Sequence, residues 1–569
     1  MLRKLRWPLL IVLLALVAIG FLLTSQQPIL KPVEPVVEPA TGGVYAEGLI
    51  GSMLRLNPLL DYFNDIDRDV DHLLFSGLVR FDDRGFPIGD LADSWGISQD
   101  GKVYNFSIRQ NANWHDGTPV TSDDVIFTIE RMREDTSPIP DDLRAFWKQV
   151  EVKRLDDKTL QFRLPEAFAP FLDYLTFGVI PEHLLGDLLL SEIVDSPFNL
   201  QPIGSGPYRF NQLTVEDGKI AGLVLSANKD FYGKVPFIEQ IVFRYYPDAQ
   251  SALNAYQQGE IQGINRIPQE ILSQVLQIPD FNVHTSQIPE LSMVFLNLNN
   301  PQVEFLQNAQ IRRALMLGLN RQWMMDRILE GQAVAANGPI FPSTWAYYDG
   351  IEHLDYNPDE AVDILKQAGY TIPASGGSIR ENDSGQKLSL ELAYPDEPNY
   401  QALAEAISKD WGKLGVEVLL KPQPYDGLIA NLDQRTYQSA LVNLYPSRTP
   451  DPDPYPFWHQ SQISGGQNYS QWDDRQASEF LEQARVTVDI SERARLYRNF
   501  QVRFAQELPS LPLFYSVYRY GINEAIQGVR IGSLFDSSDR FNTINDWYLV
   551  TKRTTGLETS APTTQTPAP

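Results

Sequence analysis

Apolar and polar residues alternate strictly from Tyr104 to Arg109, with Tyr104, Phe106 and Ile108 set against Asn105, Ser107 and Arg109. That two-residue period marks a strand with one buried face. Asp116-Gly117-Thr118-Pro119 then breaks the pattern with turn chemistry, because glycine supplies positive φ and proline presets its own. Past the turn the period lengthens: Thr121-x-x-Asp124 has the form of a capping box, and Val125, Ile129 and Met132 share one helical face. Strand-like runs recur at Leu160–Leu164, Ile241–Tyr246, Leu388–Tyr394 and Val416–Leu420. A further helix is predicted where Asn357 caps, Pro358 fills the first turn, Ile364, Leu365 and Ala368 follow, and Gly369 closes. Leu496, Phe500 and Phe504 form an i, i+4, i+8 stripe, which is read as core. The texture is α/β throughout, and no period of ~20–50 residues points to a solenoid or propeller.

The two ends read differently. Arg3, Lys4 and Arg6 precede an uncharged run from Trp7 to Leu23, the pattern of a secretory signal or a short membrane anchor with its basic end inside. As a helix this run spans about 26 Å at ~1.5 Å per residue, slightly short of a bilayer core. The closest small-residue cleavage candidate is Leu23-Thr24-Ser25. From Gln26 to Gly43, prolines at 28, 32, 35 and 39 predict extended polyproline II, a stalk between anchor and body. Thr554–Pro569 is rich in Thr, Ser and Pro and reads as a disordered tail.

A chain of 569 residues exceeds a single ordinary core, so several domains are expected. It contains no cysteine, which excludes disulfides, thiolate nucleophiles and cysteine-based metal sites. A net charge of −25 argues against nucleic acid, whose phosphates need a basic face. The six histidines form no His-x-x-x-His pair. Ile203 and Pro207 flank Gly204-Ser205-Gly206 where a nucleophile elbow needs glycines. An enzyme is therefore not expected, with a hydrolase as the different-class alternative, and neither cofactor nor metal is expected.

The stretch Leu91–Arg133 resembles the signature segment of the family 5 extracellular solute-binding proteins, the oligopeptide and dipeptide receptors of bacterial ABC importers. Further matches follow in order. Gly204-Ser205-Gly206-Pro207-Tyr208 is similar to the family's Gly-Thr-Gly-Pro-Tyr turn. Asn228-Lys229-Asp230-Phe231-Tyr232-Gly233 is similar to Asn-Pro-x-Tyr-Trp, with Lys229 in place of proline. Phe295-Leu296-Asn297, Ile311-Arg312-Arg313-Ala314-Leu315 and Leu319-Asn320-Arg321 keep the family's spacing. The resemblance covers about 43–548. It implies a type II periplasmic-binding-protein fold of two hinged lobes with an inserted extra domain, preceded by an N-terminal anchor. Lobe I would comprise 43–85, 200–288 and 516–553, the extra domain 86–199, and lobe II 289–515. Hinge crossings would fall near Gln287–Leu291 and Phe514–Tyr518. Lipid-anchored members carry a cysteine after the signal. Its absence here favours an uncleaved anchor, with a cleaved signal as the alternative.

The resemblance also implies the ligand contacts. Peptide receptors hold an extended backbone by main-chain hydrogen bonding, here with edges at Ser76-Gly77-Leu78 and Asn443-Leu444-Tyr445. Gly77 either permits close backbone approach or ends a helix. Where the family places an aspartate for the ligand's α-ammonium, Pro450 stands. Asp451 is the nearest substitute, Asp453 aligns with the following carboxylate, and Arg448 offers the opposite charge. Tyr445, Tyr455, Trp458, Tyr469 and Trp472 supply candidate aromatic contacts, Trp458 foremost. The expected function is capture of an oligopeptide by a monomeric, extracytoplasmic, membrane-tethered receptor that delivers it to an ABC permease. An oligosaccharide, a metal chelate or another small solute, and a sensor without transport, are the alternatives.

Overall fold

The computed structural model describes residues 6–25, 36–82, 84–445 and 448–554. The chain forms two compact units, Met1–Thr41 with Val550–Pro569, and Gly42–Leu549. In the first, the helix Arg6–Ser25 and an antiparallel pair of strands, Val36–Ala40 with Val550–Thr554, are the regular elements. Part of the proline-rich stretch is thus a strand rather than polyproline II. A two-stranded ladder accommodates Pro39 because only one side of each strand must donate. The rest of the predicted stalk, Gln26–Pro35, and the tail from Thr555 lie outside the described residues. Among the described residues, no helix is long and apolar enough to cross a membrane.

Two long strands dominate the second unit. Phe281–Leu296 and Ser510–Asn523 run antiparallel through the middle of an 11-stranded sheet. On one side the sheet continues through Gly263–Ile264, Val44–Ile50, Gln240–Tyr246, Lys219–Ala227 and Tyr208–Glu216. On the other it continues through Ser439–Leu444, Ser389–Pro395 and Glu417–Gln423. The pairing of the two long strands is irregular midway: Gln287 faces Val517, yet Leu291 already faces Tyr515, so the ladder skips there. Extra residues on one strand bend it and leave backbone groups out of register.

The cores lie on either side of that irregularity. Tyr45, Leu73, Phe106, Ile129, Phe162, Ile241 and Trp547 belong to one continuous cluster, so the signature segment shares its core with the strands around it. Beyond the irregularity, the long strand is buried on both faces. Val294 and Leu296 point into a cluster with Leu315, Leu392 and Trp411, whereas Met293 and Phe295 point into one with Trp458, Phe500 and Phe504. That alternation explains its unbroken apolar sequence.

The predicted elements appear as Thr159–Arg163, Gln240–Tyr246, Ser389–Pro395 and Glu417–Gln423 among the strands, and Ser122–Arg133, Pro358–Gln367 and Ile490–Glu507 among the helices. The capping box is formed: Thr121 N–H donates to Asp124 Oδ2 at 2.7 Å, while Asp124 Oδ1 accepts Glu182 N–H at 2.9 Å. Asn357 caps Glu360 N–H at 3.3 Å, and Gly369 closes that helix at φ +88.

The C-terminal return of the second unit is fixed to the first core by a buried ion network. Arg540, fully buried, donates to Glu47 Oε1 at 2.8 Å and Asp69 Oδ1 at 2.5 Å, and Tyr45 and Tyr520 both donate to Glu47 Oε2. Removing the cation strands two buried carboxylates, a loss of ~3–5 kcal/mol for a broken buried pair. Arg540→Met is therefore expected to lower unfolding free energy by about that amount in urea titration. A change near zero would show that the network does not hold the return segment.

Candidate functional site

A cavity of about 1820 Å³ lies between the two groups of cores. One wall comes from the N-terminal part and the C-terminal return: Asp61, Tyr62, Arg68, Asp71, Ser76, Gly77, Phe146, Asp173, Tyr174, Asp536 and Asp539. The opposite wall comes from Arg448, Thr449, Tyr455, Gln467, Tyr469 and Arg485.

Local sequence explains the first wall. The helix Asp65–Leu74 ends at Phe75, whose extended backbone carries the chain towards the cavity. Gly204 and Gly206 let the Gly-Ser-Gly-Pro-Tyr turn lie against this helix end, since a Cβ on either would strike a carbonyl oxygen of Leu74 or Leu73. His115 locks that turn from the signature segment: its Nδ1 accepts Gly204 N–H and its Nε2 donates to Gly206 O, both at 3.1 Å. Burial pushes this imidazole down to about 4, so it is neutral and held in one tautomer. The two motifs therefore build the wall largely from behind, with Pro207, Arg109 and Met132 reaching the cavity.

Gly77 is neither a helix terminus nor open to an approaching ligand backbone on its Cβ side. An added Cβ would stand 2.8 Å from Thr176 O, so glycine is required by the protein's own chain. The carbonyls of Ser76, Gly77 and Leu78 already accept N–H groups of Val179, Leu91 and Ala92 at 3.0–3.1 Å. Ser76 and Gly77 line the cavity, and Leu78 is buried behind them.

The predicted residues of the second wall divide. Asn443 and Tyr445 both donate to Glu290 Oε1 at 2.5 Å, close to the irregular crossing, and Leu444 is buried; none of the three lines the cavity. Asp451 is only 3% exposed, sits 2.5 Å from Arg493 Nη2, and donates its own N–H to Asp173 Oδ1 at 3.0 Å. Asp453 accepts from Arg485 at 2.6 Å. Both carboxylates are thus matched within the protein and sit back from the cavity, where a ligand amine would have to displace an arginine. Trp458 is a core residue, 4.8 Å from the Phe504 ring and 5.9 Å from Phe295, and Trp472 is buried beside it. Tyr455 and Tyr469 do face the cavity, as does Arg448.

Arg448 bridges the two walls. It donates to Tyr62 O at 2.9 Å, lies 4.3 Å over the Tyr62 ring, and stands 3.8 Å from Asp536. Around it the first wall is strongly acidic, which sequence reading missed. The signal was present as aspartate at 61, 65, 67, 69 and 71, a density beyond what helix N-terminal charge requires. Burial pushes Asp61 up to about 8, with Asp536 and Asp67 adding and Arg68 and Arg448 opposing. Burial likewise raises Asp71 well above the carboxylate range, with Asp61 and Asp67 adding. Asp536 goes the other way: against its burial, Arg68 and Arg448 hold it low.

The fold, with a large cavity between halves crossed by two strands, defines a protein that encloses a solute. Residues 87–466 match the bacterial extracellular solute-binding proteins, family 5. The chain belongs to this family, which consists of binding proteins rather than enzymes and lies on the extracytoplasmic side. It is 26% identical over 467 residues to the dipeptide-binding protein of Escherichia coli, covering 79% of this chain and 84% of that one. It is 25% identical to the oligopeptide-binding protein AppA of Bacillus subtilis, covering 90% and 92%. The solved ABC transporter substrate-binding protein CtaP from Listeria monocytogenes superimposes with a TM-score of 0.74 at 25% identity, over 90% of this chain and 99% of that one.

The raised Asp61 gives a pH prediction. Its folded value of about 8 exceeds the usual 3.8, so its contribution is complete below pH 3.8 and is lost as pH rises through about 8. Asp61→Asn is expected to melt progressively higher than the parent as pH goes from about 4 to about 8. A difference constant across that range would contradict the assignment.

Proposed function

We propose that the chain captures an oligopeptide between two lobes that close on it and hands it to an ABC permease. The observation that carries this reading is the cavity itself, about 1820 Å³ between the two groups of cores. Pockets for small molecules usually measure ~300–1000 Å³, so the space suits an extended ligand of several residues. The peptide-binding relatives support the cargo, and the Listeria transporter protein supports the partner.

The lobes are proposed as 43–85, 200–288 and 516–549 for lobe I, with 86–199 inserted, and 289–515 for lobe II. Support comes from the first cluster, which gathers residues 45–243 and 518–547, while 291–515 supply the other two. The hinge is proposed at Gln287–Leu291 opposite Tyr515–Val517, where the ladder is out of register and the backbone can turn at little cost. Ser76, Gly77 and Arg448 are proposed as ligand contacts, joined by Tyr62, Tyr455 and Tyr469. Asn443, Tyr445, Asp451 and Asp453 are proposed to brace the walls.

Native mass spectrometry of the gently purified full chain should show a bound mass that exchanges with a tetrapeptide mixture. An unliganded mass that no peptide shifts would reject this cargo.

Membrane tethering through Arg6–Ser25 is proposed as well. Beyond its first residue, Arg6, this 20-residue helix carries no charged side chain, and Leu10, Ile11, Val12 and Leu13, which point round it, are all exposed. Its uncharged run from Trp7 to Leu23 reaches about 26 Å at ~1.5 Å per residue, somewhat short of the hydrocarbon core, in keeping with the lack of a full-length apolar span among the described residues. The protein should remain in the membrane pellet after alkaline carbonate extraction and begin at Met1. Recovery in the soluble fraction, starting after Ser25, would replace the anchor with a cleaved signal.

A further inference from the structure

The acidic helix Asp65–Leu74 and the residues before it account for nearly all of their carboxylates. Asp65 pairs with Arg68. Asp67 accepts the N–H groups of Leu54 and Arg55, each at 2.9 Å. Asp69 is held by Arg540. Asp71 differs from these. It is 3% exposed, it lines the cavity, and neither of its oxygens has a hydrogen-bond partner among the described residues. A buried carboxylate in that condition is costly unless something supplies a proton or a cation.

The neighbouring cations are already committed. Arg68 donates to Asp536 at 2.9 Å, and Arg448 is taken by Tyr62 O and the same Asp536. Asp539 uses a carboxylate oxygen to cap Phe535 and Asp536 N–H. His72, on the same helix, also faces the cavity. Asp61, next to the cavity and only partly covered, is the strongest electrostatic neighbour of Asp71 after burial itself.

We propose that Asp61 and Asp71 form a cation subsite in the first wall, which takes the ammonium or guanidinium end of the bound solute. Asp61 is the contacting group, and Asp71, deeper in the wall, supplies the second negative charge that makes the position selective for a cation. The proposal rests on the receptor reading above. It moves the amine partner from the Asp451 loop to the opposite wall, where a negative charge lacks a partner. Without solute, the two carboxylates share a proton, because both cannot ionise side by side in a buried place. An entering cation favours both ionised forms, so binding releases that proton to solvent.

The test uses the full chain in detergent at neutral pH and three probes. These are a tetrapeptide pool lacking Lys, Arg and His, the same pool N-acetylated, and agmatine as a non-peptide cation. Titration calorimetry in buffers of different ionisation enthalpy reads affinity and proton release together. The free pool is expected to bind about tenfold or more tightly than the acetylated pool, with proton release. Asp61→Asn should abolish both the preference and the release, and Asp71→Asn should do the same while melting no lower than the parent. Agmatine binding that Asp61→Asn removes, without peptide binding, would uphold the subsite and overturn the oligopeptide reading. Equal binding of free and acetylated pools, or an Asp61→Asn variant that keeps the preference, would overturn the subsite and leave the oligopeptide reading standing. Failure of all three probes to bind would overturn both.

Discussion

The molecule depends on how two long antiparallel strands pass from one group of cores to the other. The strand Ser510–Asn523 is locked by packing at both ends: Tyr520 and Ile522 lie in the first core, and Leu511, Leu513 and Tyr515 lie in the cores beyond. Between those anchors the ladder slips, with Gln287 and Leu291 separated by more residues than their partners Val517 and Tyr515. Regular pairing would make the sheet one stiff body, and no pairing would leave the halves unregistered. A short irregularity inside an otherwise continuous sheet is the place we propose for rotation, since it would preserve the facing of the walls.

Polar groups across the cavity then divide into those that hold the walls and those that remain for a guest. Asp451 with Arg493, Asp453 with Arg485, and Asp536 with Arg68 and Arg448 are matched internally. Matching a buried charge relieves its desolvation but removes it from ligand recognition. Among the described residues the buried Asp71 has no hydrogen-bond partner for its carboxylate, and with Asp61 it gives the first wall a negative character. Tyr455 and Tyr469 line the cavity from the other wall, with Arg485 and His459 stacked on the Tyr455 ring and Arg435 over that of Tyr469.

What was legible in the sequence was what is local. Thr121 and Asp124 cap a helix within three residues of each other, and the alternation at Tyr104–Arg109 is complete in itself, so both could be read directly. The order of short motifs carried the family, and with it the expectation of two hinged halves. The site was harder because its logic is long-range. Asp451 appeared available in its proline-rich loop, but Arg493 arrives from a helix 42 positions later. Trp458 stood beside the loop in sequence but turns inward onto Phe504. Gly77 was expected to let a ligand's backbone come close or to end a helix, but the backbone packed against it is that of Thr176. The spaced aspartates from 61 to 71 look like helix-start charge until burial separates Asp69, which has Arg540, from Asp71, which has no such partner.

The central claim is closure of two halves on a solute, and a distance across the cavity tests it most directly. The chain has no cysteine, so labels placed by Lys229→Cys and Gln476→Cys, both exposed and on opposite sides, report one distance without background. Single-molecule energy transfer should show an open and a closed population, with added solute shifting molecules to the shorter distance. A single distance that stays unchanged when solute is bound would contradict the account.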